Sequence, residues 1–169
     1  MDASVAIAWL LNEAQTTWID DLLTEVGQGH TRLVAPALLW LEVGNRLARA
    51  GDMTDEQAMD GLLRIDALGI ETIQLGPPLR LRALQLARQK RLTMYGATYL
   101  AVAEAARAPL FTLDARLERA AASMGLNRQG GIGRVSEPEA PYGQEPRDLV
   151  SLAAIGAALA ELRKQYSPG

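Results

Sequence analysis

Three acidic residues stand where a carboxylate is costly to place. Glu42 lies among the apolar residues 38–43 of a predicted helix, and Asp114 follows directly on the apolar run 110–113. Asp2 comes just before a helix that is almost wholly apolar. A buried carboxylate is unfavourable unless it is paired or coordinated, so acids in such positions are candidates for a functional site. The chemistry to expect from them is that of oxygen ligands.

The composition removes most alternatives to that chemistry. The chain has no cysteine, which excludes disulfides, thiolate zinc sites and cysteine nucleophiles. Its one histidine, His30, rules out a metal cage built from histidines. His30 stands in a Gly-Gln-Gly-His-Thr loop with no acid or nucleophile at a recognisable spacing, so we interpret it as a surface residue.

The charge distribution gives little sign of a partner. A formal net charge of −3 provides no overall basic field for nucleic acid, although a local basic patch is compatible with it. The densest basic cluster comprises Arg80, Arg82, Arg88, Lys90 and Arg91. We interpret this cluster as a solvated helix face, with contact to a phosphate backbone as the alternative. No apolar run approaches the roughly 20 residues that span a bilayer, and no signal peptide is recognisable, so we expect a cytoplasmic protein without membrane contact.

Each of the three acids also has a purely structural interpretation. Asp2 can cap the first helix or interact with its dipole. Glu42 can pair with Arg46 one turn along the helix, while Asn45 shares the face of Glu42 and suits a polar pocket. Asp114 can cap the helix that follows it, and one side chain can both cap a helix and bind a ligand.

The elements around these residues must bring them together. Hydrophobic periodicity and capping signals predict helices at 5–12, 17–26, 37–50, 54–68, 79–90, 92–107 and 115–124, and short strands at 32–35, 70–75 and 110–113. Ser4 is the predicted N-cap of the first helix. Strand–helix units with short connections predict an α/β fold with a parallel sheet and helices on both faces. Asp114 then lies at the carboxyl end of a buried strand, in the usual ligand crevice of such a sheet.

We divide the 169 residues into three parts, with one domain at 1–127. Residues 128–146 are rich in glycine, proline and glutamate and poor in large apolar side chains, which predicts a linker or flap. Residues 147–166 regain helical periodicity, with an apolar stripe that must pack on the body or on a partner. The stripe comprises Leu149, Leu152, Ile155, Leu159 and Leu162.

Four segments together resemble the PIN-domain family. They are Asp2-Ala-Ser-Val, Glu42 within LLWLEVGNRL, MYGATYLAVAEA from Met94, and Thr112-Leu-Asp114. Each is weak by itself, but their order and spacing agree with the family over about residues 1–126. The chain is similar in particular to the VapC-type toxins of bacterial toxin–antitoxin pairs. The resemblance implies a three-layer α/β/α sandwich with a short parallel sheet, and an acidic site that uses Mg²⁺ or Mn²⁺ to hydrolyse RNA.

The resemblance also implies roles for individual residues. Asp2 and Asp114 match acids of the metal site, and Glu42 matches a glutamate carried on a helix; these three are the implied catalytic residues. The implied pocket-lining residues are Ser4, Asn45 and Thr112. Carboxylates from separate elements can converge on a hard divalent cation, which polarises a phosphate and activates water.

The chain departs from the family pattern at two places. The third acid of the family normally follows the tyrosine of the MY-x-A segment, where this chain has Gly96. Glu104 stands two turns further along the helix, roughly 12 Å away, and cannot take its place. Family members also carry several apolar residues before the first aspartate, whereas only Met1 precedes Asp2. Either the true start lies upstream of this chain, or the first strand is truncated.

We therefore expect a VapC-like, divalent-metal-dependent endoribonuclease whose activity is impaired by glycine at the third acid position. The implied partners are an RNA substrate, a cognate antitoxin and a second copy of the chain in a homodimer. Two alternatives stay open. One is a catalytically inactive PIN-fold module that binds an antitoxin or RNA. The other is a dimerising scaffold in which the acids act only as caps and ion-pair partners.

Overall fold

The structure, a computed structural model, describes residues 1–12 and 17–128. The helices and strands of this part of the chain are α1 (Ala3–Leu11), α2 (Thr17–Gly27), β1 (Val34–Pro36), α3 (Leu38–Leu47), α4 (Asp55–Asp66), β2 (Glu71–Ile73), α5 (Pro77–Lys90), α6 (Met94–Ala106) and α7 (Ala115–Ala122). All but the first residue of the predicted linker at 128–146, and the whole predicted helix at 147–166, lie outside the described residues. No helix of the described part is long and apolar enough to cross a membrane.

The sheet confirms the predicted α/β fold. Strands β1 and β2 pair in parallel, with Val34 opposite Glu71 and Pro36 opposite Ile73. Helices α3 and α4 form the crossover between them. Both α3 and α6 pack against β1. The fold is therefore helix-rich with a short parallel sheet, as the sequence predicts.

The first two residues lie between β1 and the segment that precedes α7. The amino group of Met1 donates a hydrogen bond to the Val34 carbonyl (3.2 Å), and the Asp2 N–H donates to the Phe111 carbonyl (3.0 Å). The predicted strand at 110–113 is wrong: it is reduced to a single bridge between Leu110 and Asn127. A strand needs a ladder of hydrogen bonds to a neighbour, and this segment has only the bridge to Asn127 and a single bond from the Asp2 N–H.

Capping interactions correct the predicted helix starts. Helix α1 begins at Ala3 because the Asp2 carboxylate, and not Ser4, accepts the backbone N–H groups of its first turn. Helix α5 begins at Pro77. Proline is tolerated in the first turn because the N–H groups of that turn have no partner within the helix, so the missing N–H of proline costs no hydrogen bond. Helix α4 follows a capping box, in which Thr54 accepts the N–H of Gln57 and the Gln57 side chain accepts the N–H of Thr54.

Helix α6 lies at the centre of the hydrophobic core. Every residue from Ala97 to Ala103 is buried, so the helix is covered on all sides and not along one stripe. Thr93 caps it by accepting the N–H of Gly96 (3.1 Å). The first turn, with Tyr95 and Gly96, projects from this rigid centre toward the beginning of α7.

The short first segment leads to a prediction about stability. Burial lowers the pKa of the Met1 amino group to about 6, which shows that a charged amine is disfavoured at this point. Placing four or five β-branched residues before Asp2 replaces the amine with peptide groups and offers new partners to β1. We expect the melting temperature to rise, by roughly 3–5 °C for each kcal/mol gained.

An extension of equal length made of glycine and serine is the matched control. It removes the buried amine in the same way but does not favour a strand. Thermal melts of the parent and of the two extended chains measure whether the β-branched residues raise the melting temperature. Equal midpoints for the parent and the β-branched extension would show that the sheet gains nothing from a longer first strand.

Candidate active site

The acids singled out in the sequence line one open cleft of about 650 Å³. Asp2 comes from the start of α1, Glu42 from α3 and Asp114 from the start of α7. The predicted pocket residues Ser4 and Asn45 also line the cleft. Acids from three separate elements thus face one space.

Asp2 is the most tightly held of the three acids. Its side chain is only 5% exposed, and both carboxylate oxygens accept hydrogen bonds. Oδ1 accepts from the Ser4 hydroxyl (2.6 Å) and from the N–H groups of Ser4 (3.0 Å) and Val5 (3.4 Å). Oδ2 accepts from the hydroxyl of Thr112 (2.6 Å). The carboxylate therefore caps α1 and, at the same time, binds a residue 110 positions further along the chain.

Two hydroxyl groups connect Asp2 to the segment that carries Asp114. The Thr112 hydroxyl, which donates to Asp2, accepts the N–H of Asp114 (3.0 Å). The Ser4 hydroxyl accepts the N–H of Leu113 (2.9 Å). Thr112 and Ser4 thus fix the position of the turn before α7 relative to Asp2. Of the two hydroxyl residues predicted for the pocket, Ser4 lines the cleft, whereas Thr112 is buried and is not among the lining residues.

Asp114 is exposed and caps α7. Its Oδ1 accepts the N–H groups of Arg116 (2.7 Å) and Leu117 (3.1 Å). Within the described residues, no hydrogen bond reaches its Oδ2. The structural interpretation of Asp114 as a cap is confirmed, and the residue also lines the cleft.

Glu42 is held by Tyr99, a buried residue at the centre of α6. The hydroxyl of Tyr99 donates to its Oε2 (2.5 Å), and Tyr99 itself is only 4% exposed. Burial, together with the hydrogen bond to the Glu42 carboxylate, raises the pKa of Tyr99 above its ordinary range, so its hydroxyl stays protonated and donates. A tyrosine within an apolar helical stripe needs a partner for its hydroxyl, and that need is the signal in the sequence that could have identified Tyr99.

The electrostatics of Asp2 reflect a balance between burial and hydrogen bonding. Burial raises the pKa of Asp2, while the hydrogen bonds from Ser4 and Thr112 act in the opposite direction. Burial is the larger effect, so the ionised carboxylate is less favoured here than in water. A nearby cation would offset that cost.

The positive charges of the cleft come from α3 and its end. Arg46 and Arg49 line the cleft, together with Leu41 of the same helix. Sequence reasoning considered Arg46 only as a partner of Glu42 and missed Arg49 altogether. The basic cluster that it did identify lies elsewhere, and in that cluster Arg82 pairs with Glu104 (2.6 Å).

Gly96 lies in the cleft wall, where the family pattern has an acid. A Cβ placed on it would lie 3.6 Å from the Thr93 hydroxyl oxygen and 3.8 Å from a methyl group of Leu117, which are ordinary contact distances. A side chain therefore fits at this position. Glu104 is bound to Arg82, in agreement with the prediction that it cannot replace the missing acid.

A sequence model of the PIN domain matches residues 1–123, most of the chain. The chain belongs to the PIN-domain family. No individual curated protein matches it. The PIN fold is of nuclease type, and PIN domains commonly use divalent metal ions, bind RNA and often pair with antitoxins. The short parallel sheet with helices around it is the PIN-like arrangement that the resemblance implied.

The donor types of the cleft fit a hard divalent cation, although their number is small. Asp2, Glu42 and Asp114 supply only oxygen ligands, which such cations prefer. Capping occupies Oδ1 of both aspartates, while Oδ2 of Asp2 accepts a single hydroxyl and retains a lone pair. Across residues 1–12 and 17–128, however, no three acidic, histidine or cysteine side chains are grouped so as to hold a metal ion. Asp2 and Asp114 would hold the ion, with water completing its coordination.

The raised pKa of Asp2 predicts how its contribution to stability changes with pH. The folded state binds the Asp2 proton more tightly than the unfolded state, so protonation of Asp2 stabilises the fold. This stabilisation is fully present below the unperturbed pKa of 3.8 and is lost as the pH rises through the higher pKa of the folded state. We expect the parent to gain stability relative to Asp2→Asn as the pH falls from 7 toward 4. Chemical denaturation of both chains in EDTA measures this difference, and a difference that shrinks over that range would contradict it.

The hydrogen bond between Tyr99 and Glu42 gives a second prediction. Tyr99→Phe removes the donor and leaves a half-buried carboxylate without it, which should lower the free energy of unfolding by about 1.5–3 kcal/mol. Tyr95→Phe is a matched control, because the Tyr95 side chain is exposed and its change should stay within about 0.5 kcal/mol. Equal losses in the two variants would show that the Tyr99 hydroxyl contributes nothing specific.

Proposed function

We propose that this chain is a VapC-like endoribonuclease that depends on a divalent metal and is weakened by Gly96. The observation that carries the proposal is the convergence of Asp2, Glu42 and Asp114 from three elements on one open cleft that also contains arginine. A cleft of this composition suits a phosphodiester, because carboxylates can hold a cation and arginine can pair with phosphate oxygens.

Each group in the cleft has a role in this proposal. Asp2 and Asp114 hold Mg²⁺ or Mn²⁺, and the ion supplies charge to the reacting phosphate when it is bound. Glu42 orients the attacking water, and Tyr99 fixes the direction of its carboxylate through their hydrogen bond. Arg49 lies in the same cleft and neutralises a phosphate of the RNA backbone.

The proposed biological context is that of a toxin. The chain cleaves RNA in the cytoplasm, is inhibited by a cognate antitoxin protein and forms a homodimer. Membership of the PIN-domain family supports RNA and antitoxin as partner classes. The short list of metal ligands is consistent with a toxin of low activity, since a weak nuclease is less harmful to the cell that makes it.

The second candidate is an inactive PIN-fold module that binds an antitoxin or RNA. The observation that favours it is the use of both aspartates as helix caps, with glycine in place of a third acid. In this case the acids maintain the cleft as a binding surface and hold no ion. Metal titration separates the two candidates.

The central prediction concerns Gly96→Asp. A Cβ at this position meets only ordinary contacts, the new carboxylate lies in the first turn of α6 where the helix dipole favours it, and it adds a third negative ligand. We expect Mn²⁺ to bind at least about tenfold more tightly, since a charge at contact distance contributes more than the 1.4 kcal/mol that a factor of ten requires. Cleavage of a structured RNA in the presence of Mn²⁺ should rise in parallel.

Two variants serve as controls. Gly96→Asn has nearly the same shape without the charge, and it should gain neither affinity nor activity. Gly96→Asp combined with Asp114→Asn should lose what the single variant gained, because it removes one of the carboxylates that hold the ion. If Gly96→Asp binds Mn²⁺ no better than Gly96→Asn, the cleft is not the metal site and the inactive module becomes the better interpretation.

A further inference from the structure

Two large apolar side chains are exposed at the same cleft. Tyr95, in the first turn of α6, is 63% exposed, and Leu41 of α3 is 66% exposed. Both belong to the lining of the cleft. A single exposed apolar residue needs no explanation, but two that line a charged cleft form a surface for a flat apolar ligand.

Charged groups accompany this surface. Arg49 is exposed and lines the cleft together with Tyr95, and the carboxylates of Asp2 and Asp114 belong to the same lining. An aromatic ring and an arginine within one groove are the combination with which proteins bind single-stranded nucleic acid, by stacking on bases and pairing with phosphates. The chain has this combination next to its candidate reaction centre.

We propose that Tyr95 and Arg49 form a nucleotide subsite in which the Tyr95 ring stacks on one unpaired base and Arg49 binds a neighbouring phosphate. The proposal rests on the proposed function, because it takes RNA as the ligand of the cleft. Tyr95 lines the same cleft as Asp2 and Asp114, so the stacked base belongs to a nucleotide close to the phosphate that faces the acids. Leu41 adds a second exposed apolar side chain to this cleft.

The subsite defines the class of substrate. A base within a duplex is already stacked on its neighbours and its face is not accessible, whereas an unpaired base can be inserted against a tyrosine. The ligand is therefore a single-stranded segment or a loop, with one position at which the base itself matters. Because every base has an aromatic face, stacking by itself selects an unpaired nucleotide more than a particular sequence.

Binding without metal tests the subsite directly. The probe is a fluorescein-labelled single-stranded RNA of ten nucleotides, followed by fluorescence anisotropy in EDTA so that neither cleavage nor metal binding contributes. Tyr95→Ala should weaken binding roughly 5- to 100-fold, which is the range for loss of one stacked base, while Tyr95→Phe should stay within about twofold. Arg49→Gln should reduce the slope of log K against log salt by about 0.7, the value for one phosphate of a single strand.

Matched controls exist on other faces of the protein. Met59→Ala removes an apolar side chain of α4 with 66% exposure, and Arg32→Gln removes an exposed cation that lies outside the basic cluster. Neither residue lines the cleft, so both variants should bind the RNA as the parent does. Thermal melts of all variants confirm that each is folded, which is expected because the altered side chains are exposed.

An abasic scan of the RNA locates the stacked base. Removing the base at one position should weaken binding to the parent and to Tyr95→Phe but should not weaken binding to Tyr95→Ala any further. In a double-mutant cycle, this result shows that the Tyr95 ring and that base interact directly. A fully paired duplex of the same sequence should bind much more weakly than the single strand.

Several results would overturn the subsite. They are equal binding by Tyr95→Ala and Met59→Ala, equal affinity for duplex and single strand, the absence of any coupled abasic position, or no detectable RNA binding by the parent. In the first case the mouth of the cleft would suit a peptide better than RNA. The results differ if the proposed metal site is wrong and the subsite is right. In that case Gly96→Asp gains no activity, while Tyr95→Ala still loses RNA binding.

Discussion

The structure depends on one buried carboxylate, that of Asp2. It caps α1 through the backbone of Ser4 and Val5, and it accepts the hydroxyl of Thr112 from the far end of the domain. The donors reduce the cost of burying this charge but do not cancel it, so removing any of them would make the ionised carboxylate still less favourable. Through Thr112 the same interaction fixes the N–H of Asp114 and hence the start of α7. The capping of two helices and the arrangement of the candidate site are therefore a single network.

Much of the fold could be predicted from local patterns. The capping box at Thr54 and the apolar run at the centre of α6 are encoded within a few residues, and both are seen in the structure. The strand predicted at 110–113 was wrong, because a strand depends on a ladder of hydrogen bonds to a neighbour and this segment has only the bridge to Asn127 and a single bond from the Asp2 N–H. Ser4 was taken as the N-cap of α1 because serine is a good cap, but Asp2 is also one and stands where its carboxylate reaches Thr112.

The candidate site was only partly predictable. Asp2, Glu42 and Asp114 were found because a carboxylate beside apolar residues is unusual in any sequence, and all three line the cleft. Tyr99 was counted as core because tyrosine contributes to an apolar stripe whether or not its hydroxyl has a partner. Arg49 and Tyr95 are not distinguished by anything in the sequence around them. They matter only because packing brings the turn after α3 and the first turn of α6 to the same cleft. Residues that come together only through tertiary packing cannot be recognised from the local sequence.

The central claim is that the cleft holds a divalent cation between Asp2 and Asp114, and anomalous diffraction can locate such an ion directly. Crystals of the Gly96→Asp variant soaked in Mn²⁺ and measured above the manganese absorption edge should show one strong peak in contact with the carboxylates of Asp2, Asp114 and the new aspartate. The same peak should be weaker in the parent chain, which has one ligand fewer. A peak elsewhere on the protein, or no peak in the cleft of the variant while Asp2 keeps its hydrogen bonds to Ser4 and Thr112, would contradict the account.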